Sequence, residues 1–322
     1  MTTSENARAD LTRYAWLSIA AAIATIAMKT LAYLVTDSVG LLSDAAESVV
    51  NLVAAVVALI ALRVAARPAD DGHHFGHAKA EYFSAAVEGG MIVVAACVIV
   101  FTAVDRMIHP QPLDNVGIGL AVSVLASVIN GAVAVVLMRA GKEHRSLTLS
   151  ADGKHLLTDV WTSVGVVVGV LLVGITGWER LDPIVALLVG INIIVTGYQL
   201  LQQSVDGLMD VAWPEEDNTT FSQILTTFAS AEVAFHAVRT REAGHQKFAE
   251  VHVLVPGQWS VQRGHDLVED IEAAASQSFP GLQLMCHLEP LEDPRSYEDN
   301  RVYVSVDQPA GDAEQPPGET LS

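Results

Sequence analysis

Six apolar segments, near residues 14–35, 39–63, 81–105, 116–138, 156–177 and 183–204, follow one another in this 322-residue chain. Each has about the length of roughly 20 residues that a helix needs to cross the hydrocarbon of a bilayer. Lipid offers no partner for backbone N–H and C=O groups, so such segments must satisfy their own hydrogen bonds as helices. Composition points the same way. Hydrophobic residues make up 51% of the chain and charged ones 17%, against about a quarter charged in globular proteins. Residues 1–13 lack the basic, apolar and small-residue order of a cleaved signal peptide. They are expected to form a short cytoplasmic segment before a retained first span.

An even number of spans puts both termini on one side. The loops and N-terminal tail of that side carry Arg8, Arg13, Arg63, Arg67, Lys79, Arg139, Lys142, Arg145 and Lys154, against Arg106 and Arg180 opposite. Positive residues favour the cytoplasm. The expectation is a multi-pass protein of the cell inner (cytoplasmic) membrane with both termini cytoplasmic.

Ionisable residues inside a span are costly and mark a path for ion, substrate or proton. The second segment puts Asp44, Glu47 and Asn51 on one side of an otherwise apolar helix, and the fifth opens with His155 and Asp159. A four-residue spacing sets His155 with Asp159, and Glu47 with Asn51, on a common face. Packed together, two such pairs make a four-ligand cluster of the size zinc prefers. Imidazole with carboxylate suits Zn²⁺, Fe²⁺, Mn²⁺ or Co²⁺. Asp44, a turn further out, reads equally as a ligand on the way in, a proton group, or the lining of a wet vestibule. Carboxylate and imidazole bind metal only when deprotonated, so release and protonation are linked. His155, Asp159 and Glu47 are the candidate proton carriers. After Pro68, Asp70, His73 and His77 form a D-x-x-H-x-x-x-H loop, with Asp71 and His74 beside it.

Pro214 closes the membrane part. Beyond it the pattern predicts a helix over 215–230, strands over 234–241 and 247–255, a helix over 261–278 and a strand over 282–289. This order suggests a small open α/β sandwich, whose limited core makes dimerisation a reasonable expectation. His236, His252, His265 and His287 lie on or next to these elements, and the His287-x-Glu289 spacing puts two side chains on one strand face. From Asp293 the tail carries seven acidic residues against Arg295 and Arg301, with several Pro and Gly, and reads as disordered; 302–306 (VYVSV) is the doubtful stretch.

A formal net charge of -19 argues against nucleic acid and suits a protein that attracts cations. Cys97 and Cys286 offer neither a disulfide scaffold nor a CxxC pair. No GxxxxGK[ST] loop supplies a nucleotide engine.

Three stretches, GLLSDAAES in the second span, RPADDGHHFGHAKAE after it and ADGKHLLTDVWTSVG entering the fifth, carry a resemblance to the cation diffusion facilitator family. It covers residues from about 14 to 290. It implies a homodimeric six-helix transmembrane domain (14–208), a cytoplasmic ferredoxin-like αββαβ metal-binding domain (209–290) and an acidic tail (291–322). It also implies a secondary active transporter, not an enzyme, that exports divalent transition metal in exchange for protons. By this resemblance Glu47, Asn51, His155 and Asp159 take the membrane-site positions, and Asp70, His73 and His77 a loop site. His236, His252, His265, His287 and Glu289 take a two-metal, dimer-stabilising site, with Glu289 where Asp is usual. Lys79 and Asp210 link the third span to the soluble domain, although Glu81 offers Lys79 a local alternative. The second span departs from the family, which usually has His or Asp first and Asp second. Glu47 and Asn51 leave two carboxylates and a harder, oxygen-rich donor set. Zn²⁺, Fe²⁺ and Mn²⁺ stay open as the cargo, with Co²⁺ and Cd²⁺ further candidates. The alternative is a membrane-anchored metal sensor or scaffold with little transport.

Overall fold

Long apolar runs close their own hydrogen-bond ladders, and the first two thirds of the chain does so repeatedly. The computed structural model describes residues 11–36, 39–109, 116–178, 180–298 and 303–306. Among these, six long helices come first: α1 (Thr12–Thr36), α2 (Val39–Ala65), α3 (Ala80–Ile108), α4 (Val116–Glu143), α5 (Leu147–Thr176) and α6 (Leu181–Leu208). Four described stretches, Thr12–Ala32, Ala80–Ile108, Val124–Glu143 and Pro183–Leu208, are long and apolar enough to cross a membrane; a shorter apolar stretch, Asn51–Ala65, lies in α2. The chain divides into two units, Met1–Met209 and Asp210–Ser322.

The helices of the first unit meet in two apolar clusters. One joins α1, α2, α4 and α5 through Ile19, Ala55, Leu59, Leu137 and Leu156. The other joins α3, α5 and α6 through Ala85, Ile92, Ala151, Ile193 and Leu200. α5 therefore lies between the two. Large apolar side chains such as Phe101, Val94 and Leu188 point outward and are well exposed, as a bundle bathed in lipid requires. Small residues let α3 and α6 close up. A Cβ on Gly197 would lie 2.7 Å from Val93 Cγ2 and 3.2 Å from the Gly89 carbonyl oxygen.

α5 starts nine residues before the apolar run that predicts it, at Leu147 rather than 156. Hydropathy marks where lipid contact begins, not where the hydrogen-bond ladder begins. Ser146 ends the preceding loop, and its Oγ accepts from the Leu149 N–H at 3.3 Å, a helix N-terminal cap. His155 thus sits over two turns inside the helix instead of at its mouth.

The second unit contains α7 (Glu215–Phe228), β1 (Ala234–Ala243), β2 (Gln246–Val255), α8 (Val261–Ser278) and β3 (Gln283–Pro290). Strand order is β1-β2-β3, the first pair antiparallel and the second parallel. The expected five-residue turn is shorter, because the strands run on to a two-residue Gly244–His245 connection with Gly244 at φ +60°. Phe221 and Leu225 of α7, Ile271 and Ala275 of α8, and Val251 and Val253 of β2 share the core with Trp213 and Phe279. Side chains alternate across a strand, so His252 faces away from the helices. His236 pairs with His252, and His252 with His287, a row of three imidazoles across the sheet. Just past His236 the register shifts at a bulge, where Ala237 takes φ +47°. Such a bulge re-aims side chains.

The acidic tail is not structureless from its start. Pro294–Tyr297 form a 3-10 turn, Ser296 Oγ donates to the Pro290 carbonyl at 2.9 Å and Tyr297 OH to that of Leu291 at 3.0 Å. Ser222 Oγ donates to the Ser305 carbonyl at 2.5 Å, and Val304 and Val306 pack against the core. Apolar residues inside an acidic stretch are what give it something to bury. Residues 307–322 lie outside the described residues.

Candidate metal centres

Inside the bundle, α2 and α5 bring three of the expected residues into one hydrogen-bonded group. His155 Nε2 lies 2.9 Å from Asn51 Oδ1, and Asn51 Nδ2 donates to Asp159 Oδ2. Asn51 and His155 are both 5% exposed. The geometry orients the amide: its NH₂ must face the acceptor carboxylate, so its oxygen faces the imidazole, and Nε2 is the nitrogen that carries hydrogen. Asn51 therefore holds both ligands in position by a donor and an acceptor. A divalent ion taking Nε2 must displace that hydrogen. Lys29 of α1 lies within electrostatic reach of Asp159, a neighbour that sequence reasoning missed because one Lys in an apolar run shows no partner. The side chains of Asp44 and Glu47 lie outside the described residues.

In the loop between α2 and α3, Asp70, His73 and His77 bring their ligand atoms within 4.8 Å of one another. Asp70 Oδ1 is 3.4 Å from His73 Nδ1, and its Oδ2 is 3.4 Å from His77 Nε2. The loop folds back on itself because Asp70 Oδ1 accepts from the backbone N–H groups of Gly72 (2.9 Å) and His73 (2.8 Å). Burial works to raise the Asp70 carboxyl. The His73 and Gly72 amides and the His77 charge outweigh it and hold Asp70 below its ordinary value. His77 Nδ1 lies 3.3 Å from the Pro68 carbonyl, an outer contact that leaves Nε2 for a metal.

In the second unit, Glu289 Oε2 accepts from both His236 Nε2 (2.8 Å) and His252 Nδ1 (3.1 Å). These three residues are 14–15% exposed at the side chain and bring their ligand atoms within 4.8 Å of one another. The buried Nδ1 of His236 has no hydrogen-bond partner among the described residues. His287 stands at the rim, 3.9 Å from Glu289 Oε1 and 63% exposed. His265, on α8, instead faces Glu269 at 3.7 Å in an exposed i,i+4 pair. Burial pushes the Cys286 thiol up to about 12, and its side chain packs against the core.

Lys79 Nζ donates to the Leu208 carbonyl at 3.3 Å, and Asp210 accepts from Arg241 Nη1 at 3.1 Å within its own unit. Glu81 is fully buried and accepts from Ser146 Oγ.

Comparison with known proteins fits this division. The family described as "Cation efflux transmembrane domain" matches residues 15–209, and "Cation efflux protein, cytoplasmic domain" matches 213–291. The chain is 52% identical over 285 residues to "Uncharacterized transporter sll1263" of Synechocystis sp., covering 88% of this chain and 92% of that one. It is 29% identical over 280 residues to "Cation-efflux pump FieF" of Salmonella arizonae, covering 87% and 93%. The metal-bound C-terminal domain of the CzcD transporter from Thermotoga maritima is 25% identical, covering 25% of this chain and 94% of that structure, with a TM-score of 0.23.

Proposed function

The chain belongs to the cation diffusion facilitator family of divalent metal transporters, and we propose that it exports Zn²⁺, Fe²⁺ or Mn²⁺ from the cytoplasm in exchange for protons. It is a secondary active transporter rather than an enzyme. The observation that carries the proposal is the hydrogen-bonded Asn51–His155–Asp159 group, buried where α2 and α5 meet inside the bundle. Polar groups in that setting bind an ion or move a proton.

The exchange follows from the ligands. Cytoplasmic metal takes His155 Nε2 and the carboxylates of Asp159 and Glu47. The protons that Nε2 and the carboxylates took up at the previous release leave to the cytoplasm, and His155 stays neutral with its one remaining hydrogen on Nδ1. Protons from the outside then reclaim Nε2 and the carboxylates, and the cation is released. Asn51 cannot titrate, so it positions and coordinates without carrying a proton. Two carboxylates balance one dication. The oxygen-rich donor set favours Mn²⁺ and Fe²⁺ relative to a two-histidine site, and Cd²⁺ and Co²⁺ are also candidate cargo. In this reading all six long helices span the inner membrane, both termini are cytoplasmic, and the domains divide at 208/209. The second unit is a ferredoxin-like domain through which two chains pair. Asp70, His73 and His77 hold one further metal. His236, His252 and Glu289 hold another, with His287 at its rim.

Purified chain in liposomes with an imposed pH gradient tests this, with Zn²⁺, Fe²⁺, Mn²⁺, Co²⁺, Ni²⁺ and Cd²⁺ in competition. Uptake that follows the gradient, with counter-movement of protons, is expected. Binding without gradient-driven uptake would favour the sensor reading, which the preformed His236–His252–Glu289 group also suits.

A further inference from the structure

Among the described residues, and besides Glu81, which accepts from Ser146 Oγ, the bundle buries two further carboxylates that the transport site does not use. Glu88, on α3, is 0% exposed and Asp152, on α5, is 1% exposed. Each is half satisfied. Ser84 Oγ donates to Glu88 Oε1 at 3.3 Å, and Ser18 Oγ, from α1, donates to Asp152 Oδ1 at 3.1 Å. Glu88 Oε2 and Asp152 Oδ2 have no hydrogen-bond partner among the described residues. Asp152 lies within electrostatic reach of Glu88. Their helices share an apolar cluster in which Ala85 and Ile92 bracket Glu88 and Ala151 precedes Asp152.

Native proteins rarely leave a buried polar atom unpaired, and each such atom calls for a group that the side chains do not supply. Two neighbouring carboxylates in an apolar interior also repel, and taking each out of water costs several kcal/mol unless a counter-charge is present. One divalent ion answers both demands, since it neutralises two carboxylates and coordinates both orphaned oxygens. Two carboxylates and two hydroxyls are the donor set of a hard cation; His155, within electrostatic reach of Asp152, turns its Nε2 to Asn51 instead.

We propose that Glu88 and Asp152, with the hydroxyls of Ser18 and Ser84, form a second divalent-cation site of all-oxygen character within the bundle, suited to Mn²⁺. Asp152 lies one turn before His155 on α5, on the Leu147 side. An ion held there stands between the cytoplasmic end of α5 and the Asn51–His155–Asp159 group, as a waypoint of the metal path. That role rests on the transport reading above; the binding of an ion does not. Because the two sites differ in donor softness, an ion that rests well at both is favoured over one that prefers nitrogen.

Mn²⁺ binding to the full chain in detergent, followed by the loss of the free-ion electron paramagnetic resonance signal, tests this. Glu88→Gln and Asp152→Asn, each nearly isosteric, should lower the bound Mn²⁺ by about one ion per chain. The loss should recur on an Asp159→Ala background, while Zn²⁺ held by His236, His252 and Glu289 is retained as a check of folding. Undiminished Mn²⁺ in both variants would overturn the site and leave a shared proton as the neutralising group. Should either carboxylate variant aggregate, Ser18→Ala and Ser84→Ala decide, because both keep the charges. Several-fold weaker Mn²⁺ binding supports the site, and unchanged binding overturns it. Full Mn²⁺ stoichiometry in Glu88→Gln alongside a transporting parent removes this site and leaves export standing. A lost ion in a parent that does not transport does the reverse.

Discussion

Replacing Asn51 by Asp changes almost no volume but reverses the logic of the membrane site. Asn51 now donates Nδ2–H to Asp159 and accepts from His155 at 2.9 Å. Asn51→Asp keeps the acceptor and turns the donor contact into two facing carboxylates. Two unit charges about 4 Å apart repel by about 4 kcal/mol at an effective dielectric constant near 20. That cost falls on the chain without cargo, because a dication between the carboxylates removes it. The same energy therefore returns as affinity. At about 1.4 kcal/mol per tenfold change, the ceiling is about 10³-fold tighter Zn²⁺ binding. Calorimetric titration at fixed pH reads the affinity, and thermal unfolding of the same sample reads the cost. N51D should melt lower than wild type without metal and gain more from added Zn²⁺, as linkage requires. An unchanged melting temperature together with unchanged Zn²⁺ affinity would mean that Asn51 does not meet Asp159 across α2 and α5.

Glu289→Gln should weaken Zn²⁺ binding by the His236–His252–Glu289 group by more than the roughly 100-fold that loss of an outer-shell partner costs, measured by equilibrium dialysis of the full chain. His265→Ala should leave that affinity unchanged, since His265 pairs with Glu269 instead. Asp70 is held below its ordinary value, so its contacts persist above that value and are lost only as pH falls through the lowered one. Asp70→Asn should therefore weaken metal binding by the loop by the same factor at pH 6 and pH 8, and a factor that shrinks toward pH 6 would refute this. Gly197→Ala drives a methyl to 2.7 Å from Val93 Cγ2 and should cost about 1–3 kcal/mol in thermal stability, whereas Gly90→Ala, with nothing within 4 Å, should not.

Much of this was legible in residue order. The apolar runs give the long helices. The four-residue spacing puts His155 and Asp159 on one face, and alternation in the second unit puts His287 and Glu289 on one strand face. What residue order hides is distance between elements. Asp152 reads as part of a polar loop until Ser146 caps α5 and carries the helix back to Leu147. Only then does it come within electrostatic reach of Glu88, which looks like an isolated charge in a span. His265 matches a ligand position along the sequence, yet α8 turns it toward Glu269. The row of His236, His252 and His287 depends on strand register, and the re-aiming at Ala237 depends on a bulge that no residue type announces.

The proposed transport requires that α2 and α5 meet to hold a cation that moves across the membrane against protons. Gradient-driven Zn²⁺ uptake by liposomes containing wild type, His155→Ala and Asp159→Ala tests it most directly. Wild type should transport, and both variants should lose uptake while still binding Zn²⁺ at His236, His252 and Glu289. Full-rate uptake by either variant would contradict it.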